Sequence, residues 1–149
     1  FTEGNHNCPS CEKSGRCTLQ AVGYEVDMLV SRFPYRFPVR ERDHVSERIW
    51  LERDRCIFCQ RCVDFVRDET TGQKIFSINH RGRESRIEVD AERADAMPIE
   101  QVRYAVEICP VGAILEKGVG YDVPIGRRKY EVKSVCDRTL GPADETGAP

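Results

Sequence analysis

Cys56-Ile57-Phe58-Cys59-Gln60-Arg61-Cys62, completed far downstream by Cys109-Pro110, is the stretch that decides how this chain folds. Three cysteines at C-x2-C-x2-C spacing with a remote Cys-Pro form a ligand pattern for one four-iron, four-sulfide (4Fe-4S) cluster. Gaps of two residues let a tight loop curl until successive sulfurs converge, with backbone N–H groups turned inward. Ile57 and Phe58 are expected to screen the cluster from water, and burial is one lever on its potential. Pro110 fixes φ and brings no N–H of its own, which suits a sharp exit after the last ligand. Four residues past Cys62 stands Val66 rather than a second Cys-Pro, so this run serves a single cluster. A zinc knuckle or buried free thiols are the competing readings, because zinc sites also use C-x2-C.

A second set precedes it in Gly4-Asn5-His6-Asn7-Cys8-Pro9-Ser10-Cys11 and Cys17, spaced C-x2-C-x5-C. Three thiolates leave a four-iron cluster one ligand short, and His6 is the nearest residue able to supply it. Imidazole is a good iron ligand and raises the potential of centres where it replaces Cys. Gly15 permits a positive φ in the loop between Cys11 and Cys17. Two alternatives stand beside this reading: zinc in place of iron, or Cys136 as the fourth ligand.

Composition narrows the class. At 149 residues there is room for one ordinary domain or two small ones. With 40% apolar and 32% charged residues the balance is that of a globular protein, and no apolar run reaches the length of a membrane span. A net charge of −2 favours neither nucleic acid nor an anionic membrane as partner. The N-terminus lacks a signal-peptide pattern. Eight cysteines, nearly all in ligand-like spacing, read as metal binding in a reducing compartment, the cytoplasm, rather than as a disulfide framework. The chain begins with Phe1, so it is expected to start part-way through a larger polypeptide.

Between the ligand sets, Leu19, Val22, Val26 and Leu29 recur at helical spacing, a stripe expected to pack on the core and anchor the first cysteine loop. Phe33 to Val39 contains two prolines and reads as an extended crossing segment, with His44 on the surface beyond it. Ile49-Trp50-Leu51 predicts a short buried strand, and Val63 to Asp68 a short helix after the cysteine loop. Lys74 to Ile78 and Arg86 to Asp90 predict two strands around a turn at Gly82, with His80 in the connection. Met97-Pro98 opens a helix whose apolar face, Val102, Ala105 and Val106, leads to Cys109. Val111 to Leu115 returns as a strand. Arg127-Arg128-Lys129 reads as a solvated basic face, Cys136 as a free thiol, and Thr139 to Pro149 as a disordered tail.

The expected fold class is therefore α+β: a small helical His/Cys3 cluster module, then a ferredoxin-like 4Fe-4S module with an inserted β-hairpin. The boundaries are drawn at residues 1–45, 46–133 and 134–149, the last a flexible tail. No glycine loop for a dinucleotide or phosphate and no nucleophile–base pair stands out, so no catalytic residue is assigned.

Together, Gly4 to Cys11, Cys17, Leu19-Gln20, Arg55 to Cys62 and Cys109-Pro110-Val111-Gly112 resemble the small diaphorase subunit of soluble NAD-reducing nickel–iron hydrogenases. The same region is similar to the N-terminal cluster region of the large peripheral-arm subunit of complex I. It also resembles cluster domains of iron-only hydrogenases and formate dehydrogenases. The Gly-Asn-His-x-Cys form looks like the hydrogenase branch. The resemblance implies two 4Fe-4S clusters, one on His6, Cys8, Cys11 and Cys17 and one on Cys56, Cys59, Cys62 and Cys109. It implies a further 2Fe-2S cluster on an N-terminal domain that this sequence lacks. The partners it implies are a flavin- and NAD-binding diaphorase large subunit and the hydrogenase small and large subunits.

Overall fold

The structure, a computed structural model, describes residues 8–28, Pro34 and residues 41–128. His6, Leu29, most of the crossing segment, Cys136 and the expected tail lie outside the described residues.

The fold is a mixture of short helices and short strands. Helix α1 spans Thr18–Glu25; β1 (Ile49–Leu51) leads through a one-turn 3-10 helix, Arg53–Arg55, into the central cysteine loop and α2 (Arg61–Phe65). The hairpin β2 (Phe76–Asn79) and β3 (Arg86–Val89) follows, then α3 (Ala91–Ala96), α4 (Ile99–Ile108) and β4 (Ile114–Glu116). Two antiparallel two-stranded sheets result: β1 with β4, where Leu51 faces Ile114, and β2 with β3, where Phe76 faces Val89. The chain's first and last described strands thus close on each other, and the hairpin sits between the triplet Cys56, Cys59, Cys62 and the remote Cys109.

A two-stranded ribbon is marginal in water by itself, so the core must come from packing between elements. Val63 of α2, Val102 and Ala105 of α4, Ile49 and Leu51 of β1, Phe76 and Ile87 of the hairpin, and Ile114 of β4 form one continuous apolar cluster. Cys62 and Cys109 belong to that same cluster. Helix α4 follows the expected pattern, with Pro98 at its N-cap and Gln101, Val102 and Ala105 buried, and it ends at Cys109.

Helix α3 was not expected from the sequence. Six residues, AERADA, carry too short a stripe to register as periodicity, but Asp90 caps the turn by accepting from the Arg93 N–H at 3.1 Å. The second short helix runs over Arg61–Phe65 rather than to Asp68, because Asp68 is used locally, accepting from the N–H groups of Thr70 and Thr71 in a turn. The final strand begins at Ile114, since Cys109 to Ala113 is committed to the cysteine sites.

Arg53 ties the halves of this unit together. Its buried guanidinium donates to Ile87 O at 3.0 Å, to Glu41 O at 3.1 Å and to Asp43 Oδ2 at 2.6 Å. Removing one partner of such a buried pair strands the other. Arg53→Met is expected to cost about 3–5 kcal/mol of stability, read by chemical denaturation. A loss below about 1 kcal/mol, the worth of an exposed pair, would show that the anchor is solvated.

Candidate functional site: two thiol cavities sharing one wall

The central loop gathers its cysteines by backbone conformation. Phe58 and Gln60 both take left-handed φ, 56° and 63°, unusual for non-glycine residues. Two such residues within C-x2-C-x2-C reverse the chain twice, and the Phe58 N–H then points at Cys56 Sγ, 3.4 Å away. Cys56, Cys59, Cys62 and the remote Cys109 line one cavity with Leu51, Ile57, Ile87, Val111 and Ile114. About 340 Å³ of atom-free space lies there, open solvent at its mouth included. Cys59 stands exposed while Cys62 and Cys109 are buried, so the cavity opens toward solvent on the Cys59 side. Ile57 lines the cavity but is itself 45% exposed, and Phe58 packs half-buried against the core. The expected screen is therefore a partial one.

The electrostatics suit a cationic metal cluster. Burial pushes the Cys62 thiol up to about 12, and the neighbouring sulfurs of Cys109, Cys56 and Cys59 push the same way. Burial also raises Cys109, against the N–H groups of Val111, Ala113 and Ile114, which point at its sulfur. Thiols buried like Cys62 and Cys109 resist ionising without a compensating positive charge, and metal entry displaces their protons. Backbone N–H groups aimed at sulfur are also the contacts that tune a cluster's potential.

Cys8, Cys11 and Cys17 line a second cavity with Ser14, Leu19, Gln20, Arg55, Val111 and Gly112. A 3-10 turn, Cys8–Ser10, starts the loop, the Cys11 N–H bonds Cys8 O at 3.1 Å, and Gly15 takes the positive φ (93°) that the sequence allowed. Burial raises the Cys8 and Cys11 thiols here too, opposed by the Arg55 guanidinium. Among the described residues no three Cys, His, Asp or Glu groups converge tightly enough to hold a single metal ion. In both places the thiols ring a space rather than meet at a point.

The two cavities share a wall. Val111 lines both. Pro110 O accepts from the Thr18 N–H at 2.9 Å and lies 3.6 Å from the Cys17 thiol, so the segment that follows the last cysteine of one set also holds the other. Gly112 passes so close to the first set that a Cβ built on it would stand 2.2 Å from Cys11 Sγ. Only glycine fits such a cradle.

Three basic residues missed by the sequence reading complete the first site. Lys13 is 2% exposed and donates to Val106 O at 2.6 Å and Glu107 O at 3.2 Å, capping the C-terminal end of α4. Arg55 donates to Glu12 Oε2 at 3.1 Å and to Gly112 O at 3.3 Å. Arg128, expected on a solvated face, is instead 3% exposed, lies over the Tyr121 ring and donates to Cys11 O at 2.9 Å. Its partner is a backbone carbonyl remote in sequence, which no charge pattern reveals.

The apolar stripe after Cys17 also departs from expectation. Helix α1 buries none of its residues: Leu19 packs partly on the core, but Val22 and Val26 are exposed. The first loop is held by hydrogen bonds and buried cations instead. His44 is on the surface as expected, stacked on Trp50 at 4.8 Å, and His80 lies exposed in the hairpin connection with φ 60°. Neither belongs to a thiol cavity.

Comparison with known proteins agrees with this chemistry. Residues 46–115 match the family described as NADH-quinone oxidoreductase subunit 3, ferredoxin-like domain, and residues 1–32 the NADH-ubiquinone oxidoreductase-G iron-sulfur binding region. Fold and site thus define an iron–sulfur protein of the ferredoxin-like class. Within that class the chain belongs with the gamma subunit of the NAD-reducing hydrogenase HoxS of Cupriavidus necator, to which it is 77% identical over 145 residues. That alignment covers 97% of this chain and 62% of the relative. The NADH-ubiquinone oxidoreductase 75 kDa subunit of Acanthamoeba castellanii is 31% identical over 90% of this chain and 19% of its own. A crystal structure titled as NAD+-reducing nickel–iron hydrogenase in the H2-reduced state superposes with a TM-score of 0.70 at 37% identity, covering 93% of this chain and 61% of that one. The chain therefore spans about three fifths of these hydrogenase relatives. Among the described residues no helix is long and apolar enough to cross a membrane.

Proposed function

We propose that this chain is an electron-transfer subunit of an NAD-reducing hydrogenase, relaying electrons through two 4Fe-4S clusters between a hydrogenase module and a flavin- and NAD-binding diaphorase subunit. Cys56, Cys59, Cys62 and Cys109 hold one cluster, and Cys8, Cys11, Cys17 and His6 the other. The observation that carries the reading is the shared wall: two thiol-lined cavities meet at Val111, which fits two redox groups in series. The corresponding modules are residues 1–45 and 46–133, with a tail over 134–149. The hydrogenase small and large subunits and the diaphorase large subunit are the proposed partners, and the cytoplasm the proposed location. A 2Fe-2S cluster belongs to a domain outside this sequence.

When bound, each cluster exchanges single electrons without a chemical step on the protein. This chain's residues do the rest. The thiols fix position, and the N–H groups of Phe58, Val111, Ala113 and Ile114 donate toward ligand sulfurs. Leu51, Ile87 and Ile114 keep water from the cavity floor. Hydride chemistry at NAD and hydrogen splitting fall to the partners.

Relatedness to NADH-ubiquinone and NADH-quinone oxidoreductases keeps a second reading open, the cluster domain of a complex I-like or formate dehydrogenase-like polypeptide. A zinc-stabilised adaptor is the third. Iron, acid-labile sulfide and zinc analysis with EPR, on anaerobically purified, dithionite-reduced protein with its partners, separates them. The relay requires about eight irons and eight sulfides on this chain. Stoichiometric zinc without cluster signals would leave only the adaptor.

A further inference from the structure

We infer that Arg55 raises the reduction potential at the first thiol site and leaves that of the second nearly unchanged. The inference rests on the cluster reading proposed above and asks what the chain's charged residues do to it.

Arg55 immediately precedes Cys56 in sequence, yet its guanidinium turns away from that cysteine's cavity. It lines the cavity of Cys8, Cys11 and Cys17 and is held there by Glu12 Oε2, Gly112 O and Ser10 O at 3.1, 3.3 and 3.4 Å. A guanidinium stays charged at every accessible pH. Reduction adds negative charge, and a fixed cation in a water-poor setting favours the form that carries it.

Glu12 offsets part of this field, but unequally. The Arg55 side chain is 6% exposed and that of Glu12 25%, so solvent screens the carboxylate more than the guanidinium. Arg128 adds a second buried cation on Cys11 O. Lys13 couples more strongly to Cys109 than to Cys17, so its charge is felt more by the second site.

The second cavity is built differently. Among the described residues, Gln60 is its one polar lining side chain apart from the thiols, and no charged side chain lines it. Its environment is set by aliphatic side chains and backbone N–H groups. Arg55 thus lines the first cavity and not the second.

The test is an EPR-monitored redox titration of the chain with the partners it copurifies with, the signals assigned by which is lost and which is retained in a Cys8→Ala variant. Arg55→Gln should lower the reduced-to-oxidised ratio of the first site at least tenfold at its former midpoint, a shift of about 59 mV for a one-electron couple, and change that ratio at the second site less than twofold. Arg55→Lys should restore most of the shift. Glu12→Gln should move the first site the opposite way, which decides the matter if Arg55→Gln fails to assemble. Equal shifts at both sites, or no upward shift in Glu12→Gln, would overturn the inference. Zinc in place of iron would instead overturn the reading beneath it.

Discussion

Gly112→Ala is expected to empty the first thiol site while leaving the fold standing. Its added Cβ would lie 2.2 Å from Cys11 Sγ, a separation that real side chains do not tolerate. Neither side can yield cheaply. Cys11 is 5% exposed and its carbonyl is held by Arg128, while Gly112 O is held by Arg55. The steric cost alone is about 1–3 kcal/mol, and it falls on a sulfur whose position sets the ligand geometry. Iron should drop by about four atoms, one cubane's worth, with the second site's EPR signal retained. Gly23→Ala is the control: a Cβ there meets nothing within 4 Å, and alanine suits a helix better than glycine. Full iron content in Gly112→Ala would mean that the close approach relaxes in solution.

Removing the second thiol set should cost both clusters, whereas removing the first should cost only one. The asymmetry follows from where each set is anchored. Cys62 and Cys109 lie inside the apolar core with Val63, Val102 and Ala105. Cys8, Cys11 and Cys17 lie on a loop whose following helix buries nothing. That loop is held by Lys13 on α4, by Thr18 and Cys17 on Pro110, and by Arg55 on Ser10 O. Each of these supports belongs to the second unit.

The energies favour the same direction. Structural metal sites in small domains contribute about 10–16 kcal/mol, comparable with the roughly 5–15 kcal/mol that holds a whole domain folded. Without its metal the second site returns its cysteines to an open cavity, and the segment from Cys109 to Gly112 loses its fixed end. Cys59→Ala with Cys62→Ala is therefore expected to leave close to no iron on the chain. Cys8→Ala with Cys11→Ala is expected to leave about four irons. A first-site signal at full strength in the Cys59/Cys62 variant would show that the first loop organises itself.

Much of the site was legible in the sequence because cluster ligation is a local, spacing-limited problem. C-x2-C-x2-C can curl around one space in few ways, and the structure does bring Cys56, Cys59 and Cys62 to one cavity with Cys109. The helix ending at Cys109 and the hairpin between the ligand sets were readable for a similar reason, since apolar period and turn residues act over a few positions. The same reasoning found Cys8, Cys11 and Cys17, which also share a cavity.

Tertiary structure alone decided what surrounds those sulfurs. Lys13, Arg55 and Arg128 look like surface charges in the sequence, because a buried cation is recognised only by its partners. Those partners are carbonyls of Val106, Gly112 and Cys11, far away along the chain. Val22 and Val26 look like core for the opposite reason, since periodicity reports an apolar face but not whether anything covers it. The need for glycine at position 112 arises only when two distant loops are brought into contact. Local spacing thus determined which residues could hold metal, and long-range packing determined how close the two sites stand and which charges they feel.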